Sequence, residues 1–110
     1  MSKIFAASVT GKKQADGAQT LELGVYDKFR QHQLQVELSA TPTGGTLDIA
    51  IKTPGANNFV TLSSLQIDLT AGDNQVVHFG PYYASAIKLT PTSLDADKTY
   101  SAFLVSGAGE

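Results

Sequence analysis

The stretch from His32 to Ala40, HQLQVELSA, and the stretch from Thr46 to Thr53, TLDIAIKT, decide the fold. In the first, Leu34, Val36 and Leu38 alternate with Gln33, Gln35 and Glu37; in the second, Leu47, Ile49 and Ile51 alternate with Asp48, Ala50 and Lys52. A period of two puts alternate side chains on opposite faces of a strand, so each stretch reads as a β-strand with one apolar face. Between them Thr41-Pro42-Thr43-Gly44-Gly45 offers a fixed φ at the proline and permissive φ at the glycines. That chemistry predicts an antiparallel hairpin.

Working outward, the same alternation returns. Phe59 to Leu62 is extended, Ile67 and Leu69 point one way and Asp68 the other, and Val77 and Phe79 oppose Val76 and His78. Ser85, Ile87 and Leu89 form a core face, with Ala86, Lys88 and Thr90 outside, and a last strand covers Thr99 to Ser106. Lys3 to Val9 opens the chain, and Leu21, Leu23 and Val25 suggest one further strand. Gly, Pro, Asn and Asp clusters interrupt these runs roughly every 8 to 12 residues, the spacing of a sandwich or barrel. The expectation is one domain over residues 1–110: an all-β, antiparallel β-sandwich of jelly-roll or Ig-like type with eight to nine short strands. A single open sheet could not cover its own apolar face.

The two terminal strands are apolar on both faces. Ile4 and Ala6 oppose Phe5, Ala7 and Val9, while Tyr100, Ala102 and Leu104 oppose Phe103 and Val105. Such a strand is either central and covered by loops, or it turns one face to another subunit. Pairing of the two strands with each other would make the apolar patch continuous. Phe5, Val9, Phe103 and Val105 are therefore candidate interface residues, as are Tyr82 and Tyr83, the aromatic pair after Gly80-Pro81. A tyrosine offers a rigid apolar face with a polar tip, suited to plugging a core, anchoring a protein contact or stacking on a sugar.

Composition narrows the function classes. Hydrophobic residues make up 42% of the chain and charged residues 16%, enough apolar matter for a core with an unusually uncharged surface. Net charge is −2 and no run of like charge occurs, so phosphate contacts to a nucleic acid lack their clustered Lys and Arg. Met1 to Phe5 begins no signal-peptide h-region, and no stretch is long enough to span a membrane, which predicts synthesis in a cytoplasm without export. Cysteine is absent.

No catalytic, cofactor or metal residue is assigned. His32 and His78 each read as polar-facing strand positions, without the H-E-x-x-H or H-x-H spacing of a zinc site. No serine sits in G-x-S-x-G, and Asp95-Ala96-Asp97 and Asp73-Asn74 lack the order of a calcium loop and read as solvated turns.

From Gln33 onward the succession QLQVELSA, GTLDIAIKT, NFVTL, QIDL, VVHFGPYY, AIKLTPT and TYSAFLVSG resembles the small β-sandwich proteins of tailed-phage virions. That class includes capsid decoration or cement proteins, head fibres and minor tail components. The resemblance lies in the order of strands and turns, with no signature motif, so no family residue is carried over. It implies a non-enzymatic virion protein, a homo-oligomer such as a dimer or trimer, that meets other virion proteins such as the major capsid protein. The alternative is a carbohydrate-binding module or lectin-like adhesin in which Tyr82, Tyr83 and loop Asp or Asn residues contact a glycan. A small enzyme would instead need His32 or His78 in a pocket beside a serine and a carboxylate.

Overall fold

A computed structural model describes residues 4–23 and 31–107. Among them lie nine strands: β1 (Ile4–Lys12), β2 (Gln19–Glu22), β3 (Gln31–Leu38), β4 (Thr46–Lys52), β5 (Val60–Thr61), β6 (Ile67–Asp68), β7 (Asn74–Phe79), β8 (Ala86–Thr92) and β9 (Tyr100–Gly107). Leu21 and Leu23 are buried as the alternation predicts, and Val25 lies outside the described residues.

The strands pair into a four-stranded sheet of order β1-β9-β3-β7 and a second sheet of order β2-β8-β4-β5, with β6 also paired to β4. Every pairing is antiparallel. From β1 to β4, and again from β6 to β9, each connection carries the chain to the opposite sheet, which is the jelly-roll arrangement. Leu34, Leu47, Ile49, Leu69, Ile87, Leu89, Tyr100 and Leu104 fill the space between the sheets and are buried. Burial pushes the Tyr100 phenol up to about 12, so it stays neutral inside.

The expected hairpin between β3 and β4 does not form. β3 pairs with β7 and β9, whereas β4 pairs with β5, β6 and β8, so the two strands belong to opposite sheets. Residues 39–45 separate them, more than the about 2–5 residues of a hairpin loop. The apolar faces of β3 and β4 then meet across the core instead of lying side by side.

The arch between them is pinned from the β8–β9 connection. The Asp95 carboxylate accepts from Thr43 N (2.8 Å), Gly44 N (3.2 Å) and Thr43 Oγ1 (3.0 Å). The Thr43 amide is the leading influence holding the Asp95 carboxyl below its usual range. What reads as a solvated turn in sequence is therefore a brace between two connections. Asp73 has a similar part, accepting from Thr41 Oγ1.

Two departures from the plain alternation matter for the surface. Ala86 and Ala50 sit at outer-face positions of β8 and β4, yet both are buried. Register pairs Ala50 with Lys88 and Ala86 with Lys52, and Phe59 lies between the two ammonium groups, 5.3 Å from Lys52 Nζ and 4.8 Å from Lys88 Nζ. Both cations face the ring within cation–π range. In β1, Val9 pairs with Ala102 and Lys12 with Tyr100, so Thr10 and Gly11 together oppose Ser101. This β-bulge needs the left-handed backbone of Gly11 (φ 61°), whose N–H donates to Ser101 Oγ at 3.0 Å.

Gly45 ends the arch at φ 129°, and a Cβ there would stand 2.9 Å from Leu94 Cα. Neither the backbone angle nor the neighbour can relax cheaply. Gly45→Ala is expected to destabilise the fold by about 2–3 kcal/mol, read from urea denaturation midpoints. An unchanged midpoint would refute this account of the arch.

Candidate functional site

β9 lies between β1 and β3, so both of its backbone edges are occupied and its side chains alone decide what else it meets. Tyr100, Ala102, Leu104 and Ser106 turn inward and are buried. Phe103 and Val105 turn outward and keep 37% and 42% of their surface exposed. Register extends this outer face across all four strands. One level runs Ser8, Phe103, Gln35, Val76, and the next runs Ala6, Val105, Gln33, His78.

These two levels hold no Asp, Glu, Lys or Arg. Val76, 53% exposed, carries the apolar character to the far edge. Glu37 lies on the adjoining level, where its carboxylate accepts from Gln35 Nε2 at 2.9 Å. Beside β9 a shallow concavity is lined by Ala6, Ala7, Ser8, Phe103, Leu104 and Val105. The face is thus mixed, apolar at Phe103, Val105 and Val76 and uncharged polar at Ser8, Gln33 and Gln35.

The six candidate interface residues divide into three groups. Phe103 and Val105 lie together at the centre of the outer face. Phe5 and Val9 belong to the opposite face of β1 and pack, half-buried, against the core. Tyr82 and Tyr83 lie in the connection between β7 and β8, where Tyr82 packs against the core and Tyr83 is 52% exposed. Pairing of β1 with β9 places Ala6 beside Val105 and Ser8 beside Phe103 on the outer face. Val76, Gln33 and Gln35 complete the face and were not singled out by sequence. Their signal is cross-strand register, which alternation within one strand does not contain.

His32 departs from its expected polar-facing position: it shares the inward face of Leu34 and Val36 and is buried. Its ring stacks on Phe79, with centroids 5.0 Å apart. Nε2 lies 2.9 Å from the Tyr82 carbonyl oxygen, which can only accept, so Nε2 carries the proton and donates. Nδ1 of the neutral ring then accepts from Ser106 Oγ at 2.7 Å. The imidazole thus satisfies both nitrogens, joins β3 to β9 and anchors the Tyr82–Tyr83 connection. His32 and Ser106 are only 2% and 0% exposed, so their contact is closed off inside the core, and His78 is exposed on the outer face. Among the described residues no three His, Cys, Asp or Glu side chains gather as metal ligands.

Comparisons with known proteins agree on the fold. No family model matches the sequence, and no curated protein is significantly similar to it. Among solved structures, the SPBc2 prophage-derived protein YomS is 13% identical over 96% of each chain, with a TM-score of 0.53. The carbohydrate-binding module CBM36, solved with calcium and xylotriose, is 14% identical over 96% of this chain and 92% of its own, with a TM-score of 0.51. A chain of the nora virus structure is 7% identical over 96% of this chain and 54% of its own, with a TM-score of 0.51. The β-sandwich is therefore shared with viral and prophage proteins and with sugar-binding modules alike.

Burial lowers the His32 pKa from its ordinary 6.5, more strongly than the Tyr82 bond raises it. Below that value the unfolded chain binds a proton that the folded chain resists, so stability falls as pH drops from about 7 toward the folded-state pKa. Urea denaturation across this range is expected to give a shallower pH slope for His32→Gln than for the wild type. Parallel slopes would refute the assignment.

Proposed function

We propose that this chain is a non-enzymatic structural protein of a virion, in the manner of a capsid decoration or cement protein or a head or tail attachment protein. It works by protein–protein contact through the outer face of β1-β9-β3-β7. The observation that carries this reading is the pair Phe103 and Val105, exposed at the centre of a four-stranded face whose two central levels contain no acid or base other than His78. Water gains little from solvating such a face, and a partner protein gains much from covering it. The fold, shared with a prophage-derived protein and a virus chain, is compatible with this role, and it is equally compatible with sugar binding.

Surface chemistry separates the two. A sugar site needs an accessible aromatic face ringed by directed polar groups. Tyr83 is the residue that favours this second reading, since it is exposed and its neighbour Tyr82 is held in place by His32. The aliphatic and amide groups of the sheet face are better suited to protein.

Particles produced with the wild-type gene are expected to contain the chain by mass spectrometry, and particles produced with a Phe103→Lys/Val105→Lys variant to lose at least about 90% of it, the loss that a hot-spot penalty of 2 kcal/mol or more produces. Absence of the wild-type chain from purified particles would sink the virion reading. On a glycan array the wild type is expected to show no specific binding; a signal abolished by Tyr83→Ala would establish the sugar-binding alternative instead.

A further inference from the structure

We infer that the first partner of the β1-β9-β3-β7 face is a second copy of this chain, stacked on it face to face about a two-fold axis that runs across the strands between the Phe103 and Val105 levels. The inference rests on the reading of that face as an assembly surface and names its occupant. Three observations lead to it.

The first is area. Four strands spaced about 4.8 Å apart, with β3 eight residues long at about 3.3 Å each, make a face about 19 Å by 26 Å. That is about 500 Å² per copy and about 1,000 Å² for a stacked pair, at the lower bound of a specific interface.

The second is charge. A two-fold contact joins the same patch of two copies, so that residue i meets j and j meets i, and a self-contact must tolerate the charges the patch carries. The two central levels of this face hold no Asp, Glu, Lys or Arg, and His78 is the one basic side chain on them. Gln33 and Gln35 carry amides that both donate and accept, and so can pair with their own kind. The opposite sheet could not do this as readily. Its outer positions include Glu22, Asp48, Lys52 and Lys88, against Glu37 alone at the outer positions of β3, β7 and β9, and burying these four charges would require each to find its opposite.

The third is the distribution of apolar groups, which selects the axis. An axis along the strands would place β9 over β3 and press Phe103 and Val105 onto glutamine side chains. An axis across the strands places β9 over β9. Phe103 then lies against Val105 of the second copy, Val76 against its His78, and Ser8 against its Ala6. Stacked sheets sit about 10 Å apart and cross at about −30°, a geometry these side chains fill without large gaps.

Analytical ultracentrifugation of the purified chain over a range of concentrations tests this directly. The wild type is expected to form a two-copy species. Phe103→Lys should raise its dissociation constant at least about 30-fold, the effect of one central hot spot. Gln33→Lys, which removes no apolar contact from the folded chain, should weaken it as well. Val60→Lys, at a site 63% exposed on β5 of the other sheet, should leave it unchanged. Circular dichroism of each variant establishes that it is folded. A wild type that stays monomeric throughout, a species of three or more copies, or a dimer indifferent to both Phe103→Lys and Gln33→Lys would overturn the inference; the last result would point to pairing along a strand edge. A monomeric chain that still enters particles would refute the stack and leave the virion role standing. A stacked dimer absent from particles would do the reverse.

Discussion

The structure turns on the position of β9. Hydrogen bonds to β1 and β3 occupy both of its edges, and the opposite sheet covers Tyr100, Ala102 and Leu104. Three of its four sides are spent on the fold. Only the side bearing Phe103 and Val105 is left, and a sequence that places an aromatic and a β-branched residue there leaves them 37% and 42% exposed. The His32–Ser106 bond adds a side-chain link between β9 and β3, while the brace at Asp95 and the close approach at Gly45 fix the arch that carries the chain from one sheet to the other.

Much of this was legible as alternation. The inward sets Leu34 and Val36, Leu47 and Ile49, and Ile87 and Leu89 are buried, and their period of two was enough to require a pair of stacked sheets. Alternation says which way a side chain points. It carries no information about which strand lies alongside, and the β3–β4 connection shows the consequence, because a turn rich in Pro and Gly serves an arch between sheets as well as it serves a hairpin. Partners become known only from register, and register is a property of pairs distant in sequence, such as Val105 with Gln33.

The site was legible to the same degree. Phe103 and Val105 could be picked out because a strand apolar on both faces is anomalous wherever it lies. Phe5 and Val9 share that anomaly in sequence but turn inward in the structure, since β1 places Ala6 and Ser8 on the outer face. His32 obeys the alternation, sharing the parity of Leu34; its polar identity suggested solvent, while two hydrogen bonds and a stacked phenylalanine make burial acceptable. Ala86 and Ala50 could not have been foreseen as buried, because alternation places both on the outward side of their strands.

The bulge at Thr10 and Gly11 bears on what kinds of assembly are open to this molecule. Among the described residues β1 lies at the margin of its sheet, and a margin of that length would ordinarily invite lateral annealing, strand upon strand, without limit. Here the margin is kinked near its end and followed by Lys12 and Lys13, so a flat docking strand would lose its hydrogen-bond rhythm and meet two cations. Ribbon-like polymerisation is thereby discouraged, and finite complexes become the accessible ones.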